Sequence, residues 1–210
     1  MRESYRTLRG VGFAEYEEKK SRFIGSAAPA ESEGAATAFI SAVRERHKYA
    51  SHNVFAYLCG EKGLSKRYSD DGEPQGTAGV PVLDVIEKGR LSDTVIVVTR
   101  YFGGTLLGAA GLIRSYGKAA SLAVGAAGIV EKSLARLYTF LVEYPMYDRV
   151  RNELDKGGFT VTGVAYGIDI EMTAVIPPGD VDRLCARIAE LTAGSVLIER
   201  AGDTYIDKIL

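Results

Sequence analysis

The chain has 210 residues, 46% hydrophobic and 25% charged, with a net charge of −1. That is enough apolar material for two small cores, and it leaves no whole-molecule field to draw the protein to nucleic acid or an anionic membrane. Cys59 and Cys185 lie far apart with no CxxC pairing, the longest uncharged run (101–113) has only 13 residues, and the first 25 are laced with charge. No disulfide scaffold, membrane span of about 20 apolar residues or signal peptide is expected, and a cytoplasmic protein without membrane contact is.

In chain order, residues 13–16 and 22–28 read as two strands around the charged turn 17–20. Ala36, Phe39, Ile40 and Val43 then repeat at helical spacing, with Ser32 available as N-cap. Residues 53–59 alternate as a strand, with Val54, Ala56 and Leu58 on one face and Phe55 and Tyr57 on the other. Thr77 is expected to cap a second helix that carries Pro81 in its first turn and ends at Gly89. The β-branched run 94–99 suits a strand buried on both faces, stopping at Arg100. A long helix is expected over 107–124, with Leu112, Tyr116, Ala119, Ala120 and Ala123 inward and Arg114, Lys118 and Ser121 on another face. Residues 125–128 read as a linker.

The remainder predicts strand 133–143, helix 145–156, strands 159–166 and 168–176, helix 178–192 and strand 195–201. This β-α-β-β-α-β order is the ferredoxin-like signature. The fold class is therefore α+β in two domains, 1–130 and 131–210, the first carrying a net charge of +3 and the second −4. A polyanion would favour the first.

Eight of the 24 glycines fall between Gly72 and Gly111, six of them in two blocks, 69–79 and 100–108, that each run into a helix start. Uncovered N–H groups at a helix start attract anions where glycine lets a ligand approach. Arg100 precedes the second block, Arg114 and Lys118 share a face of the helix it opens, and Tyr101 and Phe102 offer stacking surfaces of the kind single-stranded nucleic acid uses. The alternative is that these glycines serve only tight turns and close packing. The blocks match neither GxxxxGK[ST] nor a strict GxGxxG. Asp70, Asp71 and Glu73 do not fit a calcium loop. They read as a turn whose side chains bind backbone N–H groups, or as partners of Arg100 that hold the two blocks together. His47 and His52 have no cysteine nearby, so no zinc site is expected, and His52 could hydrogen-bond into the glycine loops. No cofactor, metal ligand or catalytic residue is assigned.

The residues His52-Asn53, Ser-Asp-Asp-Gly-Glu-Pro-Gln-Gly-Thr-Ala-Gly at 69–79, Val-Val-Thr-Arg-Tyr-Phe-Gly-Gly-Thr-Leu-Leu-Gly at 97–108 and Gly-Leu-Ile-Arg-Ser-Tyr at 111–116 resemble the IMPACT family in its bacterial, YigZ-like form. The resemblance implies a first domain like domain IV of elongation factor G, a β-α-β sandwich, and a second like its domain V. It also implies a non-catalytic role in the regulation of translation, with RNA, the ribosome or a ribosome-associated protein as partner and no DNA sequence specificity. The positions it points to are Asp70, Asp71, Glu73, Gln75, Arg100, Tyr101, Phe102, Gly103, Gly104 and Arg114, and His52, Thr105 and Lys118 join them as candidate ligand or nucleic-acid contacts. The competing expectation is an enzyme or binder for a phosphorylated small molecule or nucleotide.

Overall fold

The computed structural model describes residues 2–60 and 65–209. By its internal contacts the chain divides into two compact units, Met1–Lys132 with Lys208–Leu210, and Ser133–Asp207.

The first unit is built on an antiparallel sheet of order β2-β3-β6-β4-β5: β2 (Gly12–Glu18), β3 (Ser21–Pro29), β4 (His52–Cys59), β5 (Ser65–Ser69) and β6 (Thr94–Tyr101). Period-2 alternation sorts its residues onto two cores. On one face Phe23, Ala27, Val54, Ala56, Ile96 and Val98 pack under α2 (Gly79–Lys88) and α3 (Gly108–Ala127). On the other, Phe55, Tyr57, Val95 and Val97 receive Ala36, Ile40 and Val43 of α1 (Glu33–Arg46). The continuous β-branched run of β6 is buried on both faces, as its composition predicts. Ser32 does cap α1, its Oγ accepting from the Ala35 N–H at 3.2 Å.

Several boundaries differ from the sequence reading. An additional strand, β1 (Ser4–Leu8), pairs with β7 (Ile129–Val142), and β5 was not anticipated. Both are short and polar, so neither carries a hydrophobic period. Helix α3 continues through the supposed linker to Ala127, because Ala123, Val124 and Ala127 still face the core; the turn falls on Gly128 alone, at φ +72°. Gly12 and Gly25 lie beneath that helix, where an added Cβ would sit 2.2 Å from Ala127 N and 2.4 Å from the Ala119 carbonyl oxygen. These two glycines let the helix approach the sheet.

In the second unit, β7, α4 (Tyr147–Lys156), β8 (Thr160–Tyr166), β9 (Ile170–Ile176), α5 (Val181–Leu191) and β10 (Leu197–Ile209) give the strand order β10-β7-β9-β8. This is the expected ferredoxin-like arrangement. Phe140, Met172, Ala174 and Ile176 pack against Val150, Leu154, Leu184 and Ile188 of the two helices. Both helices are preceded by a single 3-10 turn that contains the proline, at Tyr144–Met146 and Pro178–Asp180, so each α-helix begins two or three residues later than predicted.

Candidate functional site

The glycine-rich block after β5 is organised by three carboxylates with separate tasks. Asp70 accepts from the N–H groups of Gly76 at 2.9 Å, Ala78 at 3.0 Å and Gly79 at 2.8 Å. It is therefore Asp70, eight and nine residues upstream, that caps α2. Thr77, the expected cap, instead donates its hydroxyl to the Pro74 carbonyl at 2.6 Å. Asp71, at φ +48°, accepts from the Asn53 N–H at 2.6 Å and from Arg44 at 2.8 Å, while its carbonyl meets His52 Nδ1 at 2.8 Å. Gln75 is exposed.

Glu73 turns inward. Its Oε1 accepts from Arg100 Nη1 at 2.6 Å and from the Tyr116 hydroxyl at 2.6 Å, with His52 Nε2 at 3.8 Å. Burial, and then the bond to Glu73, push the Tyr116 phenol above its ordinary value, so it stays protonated and donates. Arg100 is not in the loop but within β6, opposite Phe23 and His52, which is why the guanidinium points into the protein. It lies near the rings of Phe23 and Phe102, 5.5 and 5.4 Å from their centroids.

At the second block, two amides and one nitrogen of Arg100 expected to face an anion are already bonded within the protein. The Phe102 N–H donates to Ser51 Oγ and the Gly103 N–H to Ser21 Oγ, both at 3.1 Å, and Arg100 Nη1 donates to Glu73 Oε1. Gly103 answers to packing: a Cβ there would sit 2.0 Å from the Lys20 carbonyl carbon. Gly104, at φ +82°, makes the turn, and Thr105 is exposed. Arg114 and Lys118 share an exposed face of α3, but Arg114 lines a separate small hollow with Tyr16, Glu18 and Lys19, so Arg100 does not join them. The adjacent basic residues suggested one site, whereas strand alternation turned Arg100 into the core.

Two arrangements remain open to solvent. One is a cavity of ≈350 Å³ floored by His52, Glu73 and Arg100 and walled by Pro74, Phe102, Leu106, Leu107, Gly108, Ala109 and Leu112. The other is the part of the sheet face beside α1. There Arg22 lies over Tyr101 at 5.2 Å and Arg46 over Phe13 at 5.5 Å, with Lys48 over Tyr49 at 5.4 Å in the turn after α1. Phe13 and Tyr49 are 50% and 85% exposed, enough ring surface for a base to stack on. Glu15 pairs with Arg22 at 3.3 Å, and among the described residues Arg46 and Lys48 form no ion pair. His47 Nδ1 meets the Tyr101 hydroxyl at 3.0 Å, and burial, then Arg46 and Arg22, hold its pKa below the ordinary histidine value. Only Tyr101 of this second group was singled out from sequence as a binding residue; Arg22 reaches it through strand pairing, whereas Arg46, Lys48 and Tyr49 come from the end of α1 and the turn after it. Among the described residues no group of three or more His, Cys, Asp or Glu is placed to hold a metal ion, and no helix is long and apolar enough to cross a membrane.

A family model described as the Impact N-terminal domain matches residues 19–124, and one described as a domain of unknown function matches 141–195. The chain is 38% identical over 208 residues to the IMPACT family member YvyE of Bacillus subtilis, covering 99% of this chain and 96% of that one. To the IMPACT family member YigZ of Escherichia coli it is 32% identical, covering 85% and 88%. A crystal structure described as that of a hypothetical protein superposes with a TM-score of 0.62 at 30% identity, over 94% of this chain and 97% of that one.

Proposed function

Because this chain belongs to the IMPACT family, we propose that it is a translation-associated binding protein that works without catalysis and contacts single-stranded RNA on the ribosome. The observation that carries the reading is the cation-and-ring face of Arg22, Tyr101, Arg46, Phe13, Lys48 and Tyr49. Stacking surfaces beside charges suit a ligand with flat bases on an anionic backbone, and they make no demand on sequence. The nearby acid and base groups support a role without chemistry. Glu73 and Arg100 neutralise each other in the interior, and Tyr116 is held in its protonated form.

The face differs from the one the glycine blocks suggested, and it is the one to test. Fluorescence anisotropy of a labelled oligouridine should give an affinity that falls with salt by a log–log slope of about −0.7 for each phosphate engaged. Tyr101→Ala should weaken binding by ~5-fold or more, as loss of one stacked base does. Ribosome co-sedimentation without any RNA affinity would instead point to a ribosome-associated protein as the partner. An affinity indifferent to salt would remove the reading.

A further inference from the structure

The run 101–113, the longest uncharged stretch of the sequence, leaves much of its apolar surface outside the core. Leu106 is 82% exposed, Phe102 49% and Ile113 46%. They belong to one surface. Phe102 and Leu106 stand with Leu107, Ala109 and Leu112 around the ≈350 Å³ cavity beside Pro74, and Ile113 follows Ala109 by one turn of α3. A lone exposed leucine needs no explanation, but a cluster of apolar side chains around a recess marks an interaction site. The recess has room for a large anchoring side chain, of the kind that carries most of the affinity at a protein interface.

The charge beside this surface has one prevailing sign. From Tyr101 through Val130 the chain contains no Asp or Glu, and its only charged residues are Arg114 and Lys118, both exposed on α3. Leu107 also walls a second, smaller hollow that holds Lys19, Arg114 and Glu18. The Glu18 carboxylate accepts from the Tyr16 hydroxyl at 2.7 Å, and among the described residues Lys19, Arg114 and Lys118 form no ion pair. Three cations against one carboxylate leave this flank at +2. On the other flank Arg100 and Glu73 cancel.

That combination selects the occupant. The recess asks for an apolar anchor and the flank for carboxylates, which together describe an acidic, amphipathic stretch of polypeptide. Nucleic acid would leave the aliphatic recess empty. A symmetric pairing of this surface with that of a second copy would gather two basic flanks in one interface. We propose that the surface docks a short acidic segment of a partner protein, with one of its large apolar side chains seated between Pro74 and Leu106 and its carboxylates facing Lys19, Arg114 and Lys118. The surface shares no residue with the cation-and-ring face beside α1, so either can be lost without the other.

The test is a selection of random twelve-residue peptides, displayed on phage, against the immobilised full chain, followed by fluorescence anisotropy of the enriched peptides. These should be acidic and carry at least two Leu, Ile, Phe or Met residues. Leu106→Asp, and separately Arg114→Glu with Lys118→Glu, alter only exposed positions. Each should weaken peptide binding at least tenfold at an unchanged melting temperature, while Leu106→Asp leaves the affinity for oligouridine as it is in the parent. The proposal is overturned by a selection that enriches nothing, or that enriches basic peptides or peptides without apolar residues. Parental peptide affinity in Leu106→Asp would overturn it equally, as would displacement of the peptide by oligouridine. Self-association of the chain that Leu106→Asp abolishes, read by sedimentation, would assign the surface to a second copy and end the proposal.

Discussion

Both units join arginine to carboxylate, but in opposite settings. In the first, Arg100 and Glu73 meet at 2.6 Å with side chains 6% and 4% exposed, and Tyr116 completes the arrangement. In the second, Arg151 with Asp155, Arg187 with Glu190 and Arg200 with Asp203 are pairs one helical turn or a few residues apart, in open water. The distances alone do not separate the two groups; solvent does. A buried pair makes each partner dependent on the other, because removing one strands a charge in a poor solvent, whereas an exposed pair is replaced by water at little cost.

The comparison can be broken most directly at Glu73. Glu73→Ala should destabilise the protein by about 3–5 kcal/mol, read as the midpoint of chemical denaturation, whereas Glu73→Leu combined with Arg100→Met should recover much of that loss. A single variant as stable as the parent would mean that the pair is not desolvated. Tyr116→Phe sharpens the point by deleting only one donor to the same oxygen, and about 1.5–3 kcal/mol should go, the range for hydrogen bonds to a charged group. At the other end, Arg151→Ala should leave the melting temperature unchanged at physiological salt; a measurable drop there would erase the distinction between the regions.

The sequence disclosed the cores better than the site. Hydrophobic period alone places α1 through Ala36, Ile40 and Val43, and β-branching alone places β6 at the centre of its sheet. The ferredoxin-like order is equally legible, since each helix is bracketed by proline and glycine. Within the site, the pairing of a loop carboxylate with Arg100 and the contact of His52 with the glycine block were readable as alternatives, and both are present. The hidden part is long-range. No local signal says that Asp70 caps a helix nine residues on, that Ser21 and Ser51 take the N–H groups of the 102–103 turn, or that Arg46 reaches the ring of Phe13. Each depends on elements that become neighbours only after the sheet has formed. Tyr116 offered a partial clue, because a phenol on an alanine-lined helix face must find an acceptor once buried.

Asp70 ties its own turn to the first amides of α2, and that has a kinetic corollary. The segment 70–79 and α2 should open together, so hydrogen exchange at Gly76, Ala78 and Gly79 should follow the rate of the helix and not that of an independent loop. A wall fastened in this way cannot fold over an incoming molecule, and whatever enters beside Pro74 meets a recess already shaped.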